Sequence, residues 1–209
     1  GLEMLQNSGP ERMIDLMEAR IANAERTMMN NIAAGVYAAG TGSGGKEIGG
    51  LQLLVADTPT SGTVGSIDRA TWAFWQNNTF DASTDGGTAA TTSNIQSYMN
   101  RAYLEVCRGT DRPDLLVADN NYFRLYWESL QAIQRITNSK LGEAGFQNLK
   151  YMDADVVFDG GIGGNCPSNH MYFLNTNYIH YRPHRDRNMV PLDPDRFSTN
   201  QDAMVKLIG

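Results

Sequence analysis

The sequence predicts an α+β fold with helices packed on one sheet, and three observations lead there. A long amphipathic helical pattern opens the chain, two shorter helical patterns follow near its middle, and short apolar runs of strand character lie among and after them. The 209 residues are 41% hydrophobic and 19% charged, enough apolar material for one large domain or two small ones and too little charge for a disordered chain.

The first helix spans 10–38, because Ile14, Met17, Ile21, Ala24 and Met28 recur at alternating spacings of three and four. Ser8 suits its cap, Pro10 its first turn, and Gly40 to Gly45 end it. At 1.5 Å per residue it is about 40 Å long, more than one compact core requires, so it must lie across something or along a neighbour. Ile21 is expected in the core: replacing it with Asp should cost several kcal/mol, whereas Arg20→Ala should cost under about 1 kcal/mol.

From Gly49 to Phe80 the runs Leu51–Val55, Ile67 and Trp72–Trp75, broken by Gly, Pro and Thr, read as strands and turns. Residues 77–93 carry Phe80 as their only large apolar side chain, which predicts a mobile loop and a subdomain boundary. A second helix, Asn94–Arg108, places Ile95, Met99, Ala102, Tyr103 and Val106 on one side, with Ser93 as cap and Gly109 as stop. Asp114–Ala118 reads as a buried strand, followed by a third helix over about 119–137, capped at Asp119 or Asn120, with Phe123, Tyr126, Leu130 and Ile133 inward. Leu149–Met152, Ala154–Phe158 and Met171–Leu174 read as successive strands.

Charge narrows the function classes. Seventeen Lys plus Arg against 23 Asp plus Glu give a net −6, which argues against a dedicated DNA-reading module. No run approaches the roughly 18 apolar residues of a membrane helix, and the first ten residues lack a basic region leading into an apolar stretch, so a soluble intracellular chain is expected. Cys107 and Cys166 read as reduced, incidental thiols.

The chemical motifs are weak. Gly40-Thr41-Gly42-Ser43-Gly44-Gly45-Lys46-Glu47 satisfies G-x-G-x-x-G and most of a P-loop, but a phosphate cradle needs a strand before it and a helix after it. Here a helix precedes, and Glu47 stands where a Mg²⁺-binding hydroxyl belongs. His180 and His184, with Asp186, have an i, i+4 spacing that chelates metal on a helix, yet Pro183 and Pro191 oppose a helix and Arg182, Arg185 and Arg187 repel a cation. His170 has no motif around it. Asp153, Asp155 and Asp159 fit a solvated sheet face as well as an acid–base pair, Cys107 has histidines only far downstream, and Asn77-Asn78-Thr79 matches a glycosylation sequon by chance.

The order of elements resembles the major capsid proteins of tailed bacteriophages, which share the Hong Kong-type capsid fold with encapsulin shells. The marks are Ala19-Arg20-Ile21-Ala22-Asn23-Ala24-Glu25 on the long helix, Ile48-Gly49-Gly50-Leu51, Ile67-Asp68-Arg69 leading to Trp72 and Trp75, and Arg112 to Val117. Phe146 with Leu149 to Asp159, Met171 to Asn175, and Asn200-Gln201-Asp202-Ala203 follow in the same order. The resemblance implies an α+β, phage capsid-like fold: a peripheral domain over 1–78 with the spine helix 10–38, a mobile loop over 79–92, an axial domain over 93–185 with helices on a mixed sheet, and a return to the peripheral domain over 186–209. It implies a structural subunit, not an enzyme, of a phage or prophage capsid, self-assembled through hexamers and pentamers into an icosahedral shell enclosing double-stranded DNA.

The partners so implied are copies of the chain itself, a scaffolding protein or maturation protease, and packaged DNA by non-specific contact, with no membrane and no cofactor or metal. The place implied is the virion capsid, assembled in the bacterial host cytoplasm. The family's N-terminal arm and hairpin loop are expected before residue 1 and a further strand after Gly209, so the chain by itself should give monomers or low oligomers. Two alternatives are an encapsulin-like compartment shell and, in another class, a small metal-dependent hydrolase using His180, His184 and Asp186.

Overall fold

Four short strands organise the larger of two units in the protein, whose computed structural model describes residues 10–130, 148–186, 191–197 and 204–208. In chain order the main elements are α1 (Pro10–Tyr37), α2 (Leu51–Leu54), β1 (Thr63–Val64), β2 (Ile67–Asp68), α3 (Ile95–Val106), β3 (Leu115–Ala118), α4 (Asn120–Ser129), β4 (Asn148–Tyr151), β5 (Ala154–Phe158), β6 (Met171–Leu174), β7 (Pro191–Phe197) and β8 (Met204–Ile208). The class is α+β. The chain divides into two compact units, residues 1–29 with 179–209, and residues 30–178. The second unit spans the boundary expected at 79–92.

Within residues 30–178 the sheet runs β4-β5-β3-β6, and it is mixed: β3 is parallel to β5 and antiparallel to β6, and β4 is antiparallel to β5. Both faces are covered, which is why Leu115 to Ala118 reads as a continuous apolar run. Leu116, Ala118, Leu149 and Val156 pack on one face beneath Ile95, Met99 and Tyr103 of α3 and Phe123 and Tyr126 of α4. Val117, Tyr172 and Leu174 on the other face meet Tyr37 and Leu51. Tyr151 sits edge-on to Tyr103 and Tyr126, while its hydroxyl bonds Asn100.

The helices and central strands fall close to where their patterns predict, with instructive differences. Asn94, not Ser93, occupies the position before α3, and its side-chain oxygen accepts the Thr91 N–H at 2.6 Å. Asp119 caps α4 by accepting the Tyr122 N–H, Phe123 and Tyr126 are buried, and residues 131–137 of the expected third helix lie outside the described residues.

Leu51 to Val55, expected as a strand, is instead one helical turn. Gly50 is pinned to the end of α1 by its N–H to the Ala38 carbonyl (2.8 Å), and it sits so close to the helix that a Cβ there would collide with the Val36 carbonyl oxygen. The carbonyls of Leu53 and Leu54, which a strand would offer to a neighbour, are taken by the buried Arg69 guanidinium at 3.0 and 2.6 Å.

Residues 79–92, the expected mobile loop, are irregular and make side-chain contacts with α3. Phe80 packs on Tyr98 and lies under the Arg101 guanidinium, which also donates to the Asp85 carbonyl at 2.9 Å. The Tyr98 hydroxyl reaches the carbonyls of Gly86 and Thr88, and Asp81 folds its own turn by accepting the N–H groups of Ser83 and Thr84. One aromatic anchor and a few side-chain clamps substitute for the missing apolar content.

The expectation for Ile21 is corrected: it is 57% exposed, along with Met29 at 68% and Val36 at 48%. The end of α1 meets the sheet through Tyr37, which packs with Val117, Tyr172 and Leu174. In the other unit β7 and β8 form an antiparallel hairpin with an irregularity between Leu192 and Arg196.

Candidate functional site

Chemistry-bearing side chains gather where the parallel strands β3 and β5 end, the usual place for ligands in sheets with parallel strands. The chain runs from Ala118 into Asp119 and from Phe158 into Asp159, and Gly160 to Gly164 make a turn that returns to Cys166 and His170. Asp119 is 4% exposed, with one carboxylate oxygen on the Tyr122 N–H and the other on the Asn169 N–H at 2.7 Å. Both oxygens are used structurally.

Cys166, His170 and two aspartates resemble a nucleophile with its base, but their geometry and electrostatics oppose it. The Cys166 thiol points at the His170 backbone carbonyl, 3.9 Å away, not at the imidazole. Burial first, then Asp119 and Asp159, push that thiol up to about 12, so it stays protonated at neutral pH. The His170 ring is committed to Asp57 at 3.0 Å and to the Ser168 carbonyl at 2.8 Å, and it stacks on Tyr172. Burial and then Asp159 drive the Tyr37 phenol far above its ordinary value, and burial raises Tyr172 to about 12. The Tyr172 hydroxyl is buried without a hydrogen-bond partner among the described residues. The cluster clamps the Gly-rich turn to the sheet. Sequence reading passed it over; the signal available was the aspartate immediately following each of two apolar strands.

The structure disperses the other candidates. His180, His184 and Asp186 are exposed; the backbone N–H of Asp186 meets His184 Nδ1 at 3.2 Å, and among the described residues no three His, Cys, Asp or Glu side chains converge to hold a metal. Asp153 pairs with Arg112 at 2.9 Å and Asp155 lies 3.8 Å from Lys150, while Asp159 belongs to the clamp, so the three carboxylates do not act together. At Gly42 the backbone N–H is taken by Glu47 at 2.8 Å, so the turn's own carboxylate occupies an amide that a phosphate would need. Asn77 is spent in both directions on the backbone of Ala56, donating at 2.9 Å and accepting at 3.2 Å, which denies a glycan its nitrogen. Both cysteines are free.

What remains is surface. The stripe of α1 with Ile21, Met29 and Val36 is exposed, and Trp72, Phe74 and Trp75 form an edge-to-face aromatic group at 54%, 74% and 42% exposure, with the Trp75 indole N–H held by the Val64 carbonyl. A groove of about 610 Å³ runs between α3, β6 and the segments 55–57 and 78–83. No described helix is long and apolar enough to cross a membrane. No family model, curated protein or solved structure matches the chain.

Proposed function

We propose that the chain is a structural subunit of a tailed-phage or prophage capsid, built to associate with copies of itself into an icosahedral shell around double-stranded DNA. The observation that carries this reading is a set of exposed apolar side chains on α1: Ile21, Met29 and Val36 lie within about 80° of one another around a 28-residue helix and stay at the surface. Apolar residues repeated along one face of a helix gain by burial, and where the chain leaves them open a neighbouring chain is the natural cover. The order of elements supports it too, since the long helix and then the mixed sheet with two helices follow one another as the capsid resemblance implies. Virion localisation, a scaffold or protease, and loose DNA contact by an acidic wall belong to the same proposal.

Its test is a photo-cross-linking amino acid at position 29, where Met29 is 68% exposed. Cross-links between copies, rising with protein concentration alongside the sedimentation coefficient, are expected. A product of the complete open reading frame that stays monomeric and forms no copy-to-copy product would overturn the proposal.

A further inference from the structure

We infer that the groove beside β6 receives residues 179–185 of a second copy, which add a strand to the open edge of the sheet and set Arg182 and Arg185 against the groove's carboxylates. The inference rests on the self-assembly proposed above and gives it a specific contact.

The receiving side has three properties that fit together. β6 ends the described sheet order, and the Asp119 N–H bond to the His170 carbonyl fixes which way its backbone faces. His170, Tyr172 and Leu174 turn toward β3, and the alternate residues Met171 and Phe173 present N–H and C=O outward, the template for strand addition. The floor is apolar, from Met171 and Phe173 with Ile95 and Met99 of α3. The rim is acidic: Asp57, Asp81 and Glu105 line it, no Lys or Arg does, and only Glu105 has an arginine partner, Arg101 at 3.0 Å. His170 is the single lining side chain able to carry positive charge.

The proposed occupant is complementary in length, alternation and charge. Residues 179–185 read Ile-His-Tyr-Arg-Pro-His-Arg, every one exposed, without helix or strand structure and without an acidic residue. Arg182 and Arg185 form no ion pair among the described residues. Ile179 and Tyr181 are 41% and 65% exposed and alternate with His180 and Arg182, so an extended backbone turns the apolar pair to one side and the basic pair to the other. Four residues precede Pro183, matching the four of β6, and the proline, lacking an N–H, ends the pairing.

A fluorescein-labelled peptide of residues 178–186 is titrated against the whole chain by anisotropy. Saturable binding is expected, weakened about tenfold by Asp57→Lys in the chain and about tenfold by Arg182→Glu with Arg185→Glu in the peptide, with affinity restored when the two changes are combined. The Met171 and Phe173 amides should gain protection from hydrogen exchange on binding. The contact is overturned by no binding, by equal binding of a scrambled peptide of the same composition, or by protection elsewhere. A chain carrying Arg182→Glu and Arg185→Glu that, as a monomer, binds the native peptide far more tightly than the unmodified chain would assign the groove to the segment of its own chain, and also overturns it. Loss of the contact while copies still cross-link through position 29 leaves the shell proposal standing; groove binding in a chain that never associates through α1 does the reverse.

Discussion

Replacing Ile21 with Asp separates the stability of the chain from that of its assemblies. Full burial of an isoleucine is worth about 1.5–3 kcal/mol, and with 57% of Ile21 exposed less than half of that is gained within one chain. The substitution should therefore cost roughly 1 kcal/mol of folding stability, with no more than a few tenths of a kcal/mol added by the helix propensity of Asp. Leu116→Ala, at a side chain with 0% exposure beneath α3 and α4, should cost about 2–5 kcal/mol. In an assembly that covers the α1 stripe, the same aspartate is buried unpaired and association loses several kcal/mol. Urea unfolding in dilute solution reads the first quantity and sedimentation velocity over rising concentration the second. If Ile21→Asp lowers dilute-solution stability as much as Leu116→Ala does, the stripe docks within its own chain and the reasoning fails.

Three further substitutions test other parts of the structure. Arg69→Met deprives the Leu53 and Leu54 carbonyls of their buried donor, and even with relief from burying a charge it should cost about 2 kcal/mol; a neutral urea midpoint would contradict that. Gly50→Ala drives a methyl into the Val36 carbonyl and should lower the thermal midpoint well beyond Gly44→Ala, where a positive φ is strained but space is open. Burial raises the Asp114 carboxyl, but the Thr176 hydroxyl and N–H outweigh it, so its folded pKa lies below the ordinary value. Its stabilisation is therefore present above about pH 4 and lost as pH falls through the folded pKa, so the deficit of Asp114→Asn at pH 7 should shrink in acid; a deficit constant down to pH 2 would refute the linkage.

The sequence makes helices and central strands legible because their periods report burial directly: Ile95, Met99 and Tyr103 on α3, and Leu115 to Ala118 covered on both faces. Leu51 to Val55 is misread because an apolar run of five does not say whether its carbonyls will meet a strand, and here Arg69, sixteen residues from Leu53, claims them. Ile21 is misread for a different reason. Periodicity reveals that a face is apolar without saying which molecule covers it. Asp119, Asp159 and Cys166 are read separately and not as one cluster, because the parallel pairing of β3 with β5, across about forty residues of chain, is what brings them together.

Electron microscopy of the product of the open reading frame that encodes these 209 residues tests the capsid proposal most directly. Closed shells of uniform size are expected, and they should be absent when Ile21→Asp is introduced although the subunit remains folded. A folded subunit that forms no ring, sheet or shell under any assembly condition, and instead turns over an ester or phosphate, would contradict it.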